Sequence, residues 1–372
     1  MGASKRLLIR ADASVGVGHG HVLRMLALAQ AWQRMGGEVY FVWIDGPQHL
    51  VEKLKLEGCE FRQIPKRVQV GSITDASNTA QWATELGASV VVLDGYGFGE
   101  AYAQALKAQL RCPAVCVVDA EPSVHLLHFA DAVLYPGFVE STMDANASER
   151  LWKGRDFVLI RNEFIDALEL RVLSPALSDA SRAVHLLIGL GGSDPCTASE
   201  LILAALLKRL KGHAILHTLK VRLIVGGSNP HLHALERLMS QIPSECGWEL
   251  CLDVSDMPAQ LQWADGVITA AGGMFWEWQL FQLPGAIVAI ADNQCPLYHH
   301  AVASGWATGL GDLAQDEKAL DEVGLNRWID SLLAGDIQTC SVALIDGLGA
   351  QRTADRLMAL VRRKEKEVRS WK

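Results

Sequence analysis

Short apolar runs alternate with amphipathic stretches along almost the whole chain. In the first half, these runs predict β-strands at 6–10, 39–43, 89–93, 114–118 and 132–135. The stretches between them have helical periodicity and predict helices at 22–36, 48–57, 74–86 and 99–110. The run Val90-Val91-Val92-Leu93 contains no polar residue, which is typical of a parallel strand covered on both faces. This βαβ rhythm predicts a doubly wound parallel sheet.

The same rhythm restarts in the second half, after a less regular region between 136 and 180. Strands are predicted there at 183–188, 221–225, 248–252, 266–269 and 286–290, and helices at 197–210, 230–241 and 350–363. We therefore expect two Rossmann-like α/β domains. Their predicted bounds are 1–165 for the N-terminal domain, 166–182 for a linker, 183–345 for the C-terminal domain and 346–372 for a C-terminal helix and tail.

Composition agrees with a two-domain globular protein and restricts the classes of ligand that it can bind. The chain has 372 residues, half of them hydrophobic and one fifth charged, which is long for a single core. Its formal charge of -8 argues against a nucleic-acid binder that uses a basic surface. A small anionic ligand is still compatible, because backbone N–H groups and helix ends can hold phosphate.

Cysteine usage and hydropathy indicate a cytoplasmic protein. The eight cysteines contain no Cys-x-x-Cys pair and have no usual zinc spacing, so we expect free thiols and no metal site. The adjacent His299 and His300 also lack further ligands at suitable spacing. We see no secretory signal and no apolar run of the roughly 18 residues that a membrane span needs.

The first predicted strand enters a glycine-rich turn that is the strongest candidate for a site. Leu7-Leu8-Ile9 is followed by Gly18-His19-Gly20-His21 and then by a helical pattern. In open α/β sheets, ligands bind beyond the carboxyl ends of strands, beside helix N-termini. Histidine there can take up a proton near neutral pH. The alternative is that the glycines only shape the turn and the histidines lie in solvent.

The second half contains paired glycines after three predicted strands. They are Gly191-Gly192-Ser193, Gly226-Gly227 and Gly272-Gly273. Together they would line one sheet edge with backbone N–H groups, a plausible cradle for a diphosphate. The alternative is that glycine simply suits tight βα turns. Neither a P-loop nor a complete Gly-x-Gly-x-x-Gly dinucleotide motif is present.

Polar residues near the last glycine pair would complete a nucleotide site. Glu277 lies in the helix that follows Gly273, where its carboxylate could accept both hydroxyls of a ribose. Asn293 and Gln294 follow a strand and would reach the same crevice. The alternative for Glu277 is an ordinary acid stabilised by the helix dipole.

The chain resembles the UDP-sugar hydrolases of pseudaminic acid biosynthesis, relatives of the MurG-like glycosyltransferases. The motifs that carry the resemblance are Arg10-Ala11-Asp12, Gly18-x-Gly20-His21-x-x-Arg24, Leu93-Asp94-Gly95-Tyr96-Gly97, Leu159-Ile160-Arg161-x-Glu163-Phe164, Gly191-Gly192-Ser193-Asp194, Ala271-Gly272-Gly273 with Trp276-Glu277, Asp292-Asn293-Gln294 and Asp346-Gly347-x-Gly349-Ala350-x-Arg352. They are spread over nearly the whole chain and include the combination of a Gly-x-Gly-His-x-x-Arg turn with a Leu-Ile-Arg-x-Glu-Phe block.

This resemblance implies a GT-B-like fold with two domains facing a central cleft, and a metal- and cofactor-independent, inverting hydrolysis. Water would attack the anomeric carbon of a UDP-linked 2,4-diacetamido-2,4,6-trideoxy hexose and release UDP. The implied catalytic residues are His21, as the general base, with Asp12 and Tyr96. Implied substrate-binding residues are Gly18, Gly20, Arg24, Arg161, Gly191, Gly192, Ser193, Gly272, Gly273, Trp276, Glu277, Asn293 and Gln294. Trp276 would stack on the uracil.

The sequence departs from the family pattern at two positions, and it leaves two other functions open. Met274-Phe275 stands where relatives often have serine or threonine, and Gly95 stands where many have histidine. His19 is the rival base. A GT-B glycosyltransferase that uses a UDP-amino sugar, or a nucleotide-sugar-binding protein without activity, would share many of these features. The sequence does not indicate an oligomeric state.

Overall fold

The computed structural model describes residues 4–13, 19–119, 124–137, 149–173, 183–192, 194–210, 218–226, 229–316, 318–337 and 343–370. The chain divides into two compact units. Unit 1 is Met1–Asn162 together with Asp346–Lys372, and unit 2 is Glu163–Ile345. The end of the chain therefore belongs to the same unit as its beginning.

Each unit contains one sheet whose strands all run parallel. The strands of unit 1 are β1 (Arg6–Ala11), β2 (Glu38–Trp43), β3 (Glu60–Gln63), β4 (Val90–Asp94), β5 (Ala114–Val117), β6 (Ala132–Pro136) and β7 (Leu151–Gly154). Those of unit 2 are β8 (Val184–Gly189), β9 (Leu219–Val225), β10 (Glu249–Leu252), β11 (Gly266–Ala270), β12 (Gly285–Ala289) and β13 (Thr308–Asp312). The predicted class, α/β with two parallel sheets, is confirmed.

Helices connect the strands in both units. They are α1 (Gly20–Arg34), α2 (Gln48–Leu56), α3 (Ile73–Glu85), α4 (Glu100–Gln109), α5 (Val124–Phe129), α6 (Asn162–Leu173), α7 (Ala198–Leu210), α8 (Leu232–Met239), α9 (Met257–Trp263), α10 (Gly273–Leu280), α11 (Cys295–Ala303), α12 (Glu322–Ala334) and α13 (Gly349–Ser370). The region 136–180, expected to be irregular, holds β7 and α6. No helix in the described ranges is long and apolar enough to cross a bilayer.

The strand order reverses once in each sheet. In unit 1 the order is β3-β2-β1-β4-β5-β6-β7, and in unit 2 it is β10-β9-β8-β11-β12-β13. The reversals fall between β1 and β4 and between β8 and β11. Connecting helices depart to opposite sides at such a point and leave a crevice beyond the carboxyl ends of the two strands. Each unit therefore has one place where a ligand site is expected.

The apolar run Leu7–Ile9 in the middle of β1 results from burial on both faces of its sheet. Leu7 and Ile9 belong to a buried cluster that includes residues of α1, α2 and α13. Leu8, which points the other way, belongs to a second cluster with residues of α3 and α4. A strand with period-two side chains needs apolar residues at every position when both faces are covered.

The C-terminal helix α13 completes the core of unit 1. Ala350, Ala354, Leu357 and Val361 are buried in the cluster that also contains α1. These positions follow helical spacing and form one apolar stripe. The predicted C-terminal helix is thus part of the N-terminal fold.

The start of α13 requires glycine. A Cβ on Gly349 would lie 2.1 Å from the carbonyl oxygen of Val158, so no larger residue fits without movement of the backbone. We expect Gly349→Ala to lower the free energy of unfolding by about 1–3 kcal/mol, the usual cost of overpacking. Urea unfolding monitored by circular dichroism measures this change.

Gly99→Ala is the matched control, because a Cβ there meets no atom within 4 Å. The control should change stability little. If the two variants lose the same amount of stability, close approach at Gly349 is not the cause.

Candidate functional site

Polar residues of unit 1 converge where the strand order reverses. Asp12 follows β1, Asp94 ends β4, and Asp119 follows β5. Helix α1 begins at Gly20, an exposed residue, and brings His21 to the same edge. The predicted substrate-binding residue Gly18 lies outside the described residues. The fold thus brings several of the predicted residues to one sheet edge, beyond the strand ends, where ligand sites are expected.

His21 is buried within this cluster, with only 4% of its surface exposed. Its Nε2 lies 3.6 Å from Oδ2 of Asp119 and 3.9 Å from Oδ1 of Asp94. The ring of Tyr96 meets the imidazole edge to face, with centroids 4.7 Å apart. The Nδ1 atom is buried and has no hydrogen-bond partner among the residues that the structure describes.

Arg24, one helical turn after His21, ties the two carboxylates together. Its Nε donates to Oδ2 of Asp94 over 2.6 Å and its Nη2 to Oδ1 over 2.5 Å. Its Nη1 donates to Asp119. Burial disfavours the guanidinium charge, but the two carboxylates outweigh it and raise the pKa of Arg24 well above its usual value. Every guanidinium nitrogen of Arg24 is therefore engaged by an acid, which favours an organising role over the predicted contact with substrate.

Asp119 is the residue of this cluster that the sequence analysis missed. Burial alone would raise its pKa, but Arg24 and His21 outweigh that effect and hold the pKa of Asp119 well below its usual range. The carboxylate is therefore ionised at neutral pH. The sequence did contain a signal for this residue. Asp119 comes directly after the apolar run Ala114-Val115-Cys116-Val117-Val118, just as Asp94 comes directly after the apolar residues of β4.

Tyr96 stays protonated throughout the useful pH range. Partial burial and then the Asp119 carboxylate raise the pKa of its hydroxyl far above the usual value. The residue is nevertheless 60% exposed, so part of it is accessible to a ligand. A protonated phenol can donate or accept a hydrogen bond but cannot serve as the base.

Asp12 is held by the backbone of the neighbouring strand connection. Its Oδ1 accepts hydrogen bonds from the N–H of Ile44 over 2.6 Å and of Asp45 over 3.2 Å. Its Oδ2 lies 2.7 Å from Nη1 of Arg10. The two atoms form an ion pair, but they are not aligned for a hydrogen bond. This environment favours a role for Asp12 in fixing the loop after β1 rather than the predicted catalytic role.

In unit 2, the glycine turns also meet where the strand order reverses. A Cβ on Gly226 would lie 3.0 Å from the Cα of Gly192, so the turns after β8 and β9 are in contact. A Cβ on Gly189 would lie 3.1 Å from the sulfur of Met274, which joins the turn after β8 to α10. Gly191 and Gly192 are exposed, and Ser193 lies outside the described residues.

The start of α10 lies beside Gln294. A Cβ on Gly272 would lie 3.6 Å from Nε2 of Gln294. The Oε1 of Gln294 accepts a hydrogen bond from the N–H of Ile290 over 3.1 Å, so one end of this amide is fixed. Gly273, the first residue of α10, is exposed. Its position gives a ligand access to the positive end of the helix dipole.

The remaining predicted residues differ in accessibility. Glu277 is half-buried on α10, Asn293 is exposed, and Arg161 in unit 1 is buried. Trp276 is only 8% exposed, and its ring contacts Phe275 and lies 6.4 Å from Trp306 between centroids. Such packing leaves little of the indole to stack on a uracil.

Asp194, which belongs to one of the glycine motifs, has a structural role. Its two carboxylate oxygens accept hydrogen bonds from the N–H of Ala198 and of Ser199, over 2.9 and 2.8 Å. The side chain therefore caps α7 and fixes the C-terminal side of the turn that contains Gly191 and Gly192.

Three of the cysteine thiols that the structure describes are hard to ionise because they are buried. The seven described cysteines are all free. Burial raises the pKa of Cys59 and Cys116 to about 12 and that of Cys112 to about 11. Within the described ranges, no three histidine, cysteine or acidic side chains are grouped so that they could hold a metal ion. His299 pairs instead with Asp312, over 2.9 Å.

Comparison with known proteins identifies the architecture. No known protein-family profile matches the chain. An uncharacterised protein from Methanocaldococcus jannaschii is 20% identical over 295 residues, which are 78% of this chain and 56% of that protein. The chain thus spans little more than half the length of this relative.

Solved structures match over nearly the full chain. The UDP-GlcNAc 2-epimerase from Neisseria meningitidis, bound to UDP-GlcNAc, has a TM-score of 0.64 at 10% identity, covering 95% of this chain and 100% of its own. MurG from Acinetobacter baumannii has a TM-score of 0.59 at 16% identity, covering 97% and 99%. The M. jannaschii UDP-GlcNAc 2-epimerase, in complex with UDP-GlcNAc and UDP, has a TM-score of 0.60 at 13% identity, covering 95% and 99%. This chain therefore has a GT-B-like α/β fold related to those of MurG and the UDP-GlcNAc 2-epimerases.

Proposed function

We propose that the protein hydrolyses a UDP-linked 2,4-diacetamido-2,4,6-trideoxy hexose to UDP and the free sugar, in the biosynthesis of a pseudaminic-type nonulosonic acid. The observation that carries this proposal is the buried His21, with its two neighbouring carboxylates, beyond the carboxyl ends of the strands where the order of the first sheet reverses. Water is the acceptor, and unit 2 supplies the nucleotide site.

The nucleotide site is supported by the position of the glycine turns. Gly191 and Gly192 follow β8, and Gly272 and Gly273 follow β11, the two strands that flank the reversal in unit 2. Backbone N–H groups of such turns and the start of α10 are suited to a diphosphate. Two structural neighbours contain UDP-GlcNAc, which makes a UDP-sugar the first ligand to test.

The chemistry needs no covalent enzyme intermediate, because UDP is already a good leaving group. The water oxygen forms a bond to the anomeric carbon while the bond from that carbon to the diphosphate oxygen breaks. The bonding electron pair leaves with UDP, and the water proton passes to His21. A single displacement of this kind inverts the anomeric centre. Helix ends and N–H groups near the diphosphate stabilise the departing charge.

Incubation with a panel of UDP-sugars tests the proposal. UDP release is followed by chromatography, and the configuration of the free sugar by NMR. Release of UDP without an added acceptor, with inversion, supports the hydrolase. Turnover only with a sugar or peptide acceptor indicates a glycosyltransferase, and binding of UDP-sugars without turnover indicates a binding protein. Either of the last two outcomes contradicts the proposal.

Glu277 is proposed to accept hydrogen bonds from the ribose hydroxyls. Glu277→Ala is then expected to weaken UDP binding by about 10–100-fold, the effect of losing hydrogen bonds to a charged group. Isothermal titration calorimetry measures the affinity. The affinity for 2′,3′-dideoxy-UDP should be the same in both proteins, because that ligand lacks the hydroxyls.

Glu322→Ala is the matched control, since Glu322 is an exposed acid in the first turn of another helix of unit 2. It should leave the affinity for UDP unchanged. Equal weakening of UDP and dideoxy-UDP in Glu277→Ala would contradict the assigned ribose contact.

A further inference from the structure

We propose that Asp119 is a positioning residue that keeps the His21 proton on Nε2, so that Nδ1 is the nitrogen that accepts the proton of water. The catalytic meaning of this inference rests on the proposed function. The tautomer itself is a property of the free protein and can be measured without substrate.

The two ring nitrogens of His21 have different surroundings. Nε2 lies near Oδ2 of Asp119 and Oδ1 of Asp94, at 3.6 and 3.9 Å. Ionised carboxylates only accept hydrogen bonds, so they favour the tautomer with hydrogen on Nε2. The distance of 3.6 Å is longer than a hydrogen bond, and such catalytic contacts often shorten when substrate binds.

The other nitrogen carries an unused lone pair. Nδ1 is buried without a hydrogen-bond partner in the described part of the chain, and the whole side chain is more than nine-tenths buried. Buried polar atoms are rarely left unpaired, and a catalytic role is one explanation for an atom that is. In the tautomer with hydrogen on Nε2, Nδ1 is left as a buried acceptor without a partner, and a water molecule held beside it in the substrate complex would satisfy it.

Arg24 makes this arrangement specific to Asp119. Asp94 is fully buried and accepts short hydrogen bonds from Nε and Nη2 of Arg24 with its two oxygens. Asp119 accepts from Nη1 with Oδ1, but its Oδ2, the oxygen that faces His21, accepts only a long hydrogen bond of 3.3 Å from Nη2. Asp119 is the partly accessible one of the pair, and it lies closer to His21. Among the residues that the structure describes, the charged or titratable groups in contact with the imidazole or with its carboxylates are Asp94 from β4, Asp119 from beyond β5, Arg24 from α1, and Tyr96.

Nitrogen NMR of ¹⁵N-histidine-labelled protein tests the tautomer directly. The His21 signals are assigned by their loss in His21→Gln. We expect a protonated Nε2 and a bare Nδ1 in the wild type at neutral pH. In Asp119→Asn, the new amide can donate to Nε2, so the proton should move to Nδ1. A wild-type signal for protonated Nδ1 would overturn the inference.

Kinetics of the same variant give a second readout. Asp119→Asn is expected to lower kcat about 10²-fold with little change in KM, because a ring in the wrong tautomer cannot accept the proton. Asp119→Glu restores the carboxylate and should recover part of both the activity and the original tautomer. Loss of folding alone would not produce this pattern of rescue.

Asp131→Asn is the matched control. Asp131 accepts a hydrogen bond from the N–H of Ala114 over 2.9 Å, at the opposite end of β5 from Asp119, and its replacement should leave the tautomer and kcat unchanged. If the wild type releases no UDP from any UDP-sugar, the proposed function fails while the NMR result still decides the tautomer. If UDP is released but the ring proton lies on Nδ1, the function stands and the role of Asp119 is wrong.

Discussion

Replacing His21 by glutamine is expected to lower kcat for UDP release by about 10²–10⁴-fold, the usual contribution of a general base. Glutamine retains hydrogen-bonding atoms near the imidazole position but cannot take up a proton near neutral pH. Affinity for UDP should not change, because the proposed nucleotide contacts all come from unit 2. The values of kcat and kcat/KM should therefore fall together. Initial rates over a range of UDP-sugar concentrations measure both constants.

His19→Gln is the control, because His19 is the rival base two residues earlier in the chain. The ring of His19 is half-buried and lies 5.1 Å from that of His49, edge to face. We expect this variant to keep most of the activity. A greater loss in His19→Gln than in His21→Gln would reverse the assignment. Full activity of His21→Gln would remove the base from the proposed mechanism.

The strands that the sequence predicted well are those whose burial is complete. β4 and β12 have apolar residues at almost every position, and β1 has them at Leu7–Ile9, because both faces of each sheet are covered. By contrast, β3 was not predicted, since none of its residues Glu60–Gln63 is buried and the strand lies at the edge of the sheet. An edge strand is stabilised by pairing with its neighbour, and pairing leaves little trace in hydrophobicity.

The C-terminal helix shows a second limit of sequence reasoning. The stripe formed by Ala350, Ala354, Leu357 and Val361 predicts a helix with one buried side. The partner of that stripe is α1, more than 300 residues earlier in the chain. No local pattern encodes such a contact, and the helix was therefore assigned to a separate C-terminal segment. A long-range contact of this kind follows only from the complete fold.

The candidate site was predictable in position but not in its division of roles. The strand-end rule led to the turn before His21, whereas Tyr96 was named only through the family resemblance. The structure brings the two rings into contact. The rule gave no way to tell that Arg24 would be occupied by two acids, or that Asp12 would be held by backbone N–H groups. Those roles depend on which side chains meet in three dimensions. Asp119, by contrast, was missed although its position directly after an apolar run was a usable signal.

Replacing Arg10 by methionine is expected to lower the free energy of unfolding by about 3–5 kcal/mol, the cost of leaving a buried charge without its partner. Arg10 is completely buried, and its Nε and Nη2 donate to the equally buried Asp75 over 3.0 and 2.9 Å. Methionine fills much of the same volume but leaves the Asp75 carboxylate without its counter-ion, and it also removes the cation beside Asp12. Urea unfolding at neutral pH, monitored by circular dichroism, measures the loss.

Arg6→Met is the control on the same strand. Arg6 pairs with Glu38 over 2.9 Å, but both side chains are more than one-third exposed, and such surface pairs contribute little to stability. Equal losses in the two variants would show that burial of the charge is not what makes Arg10 important.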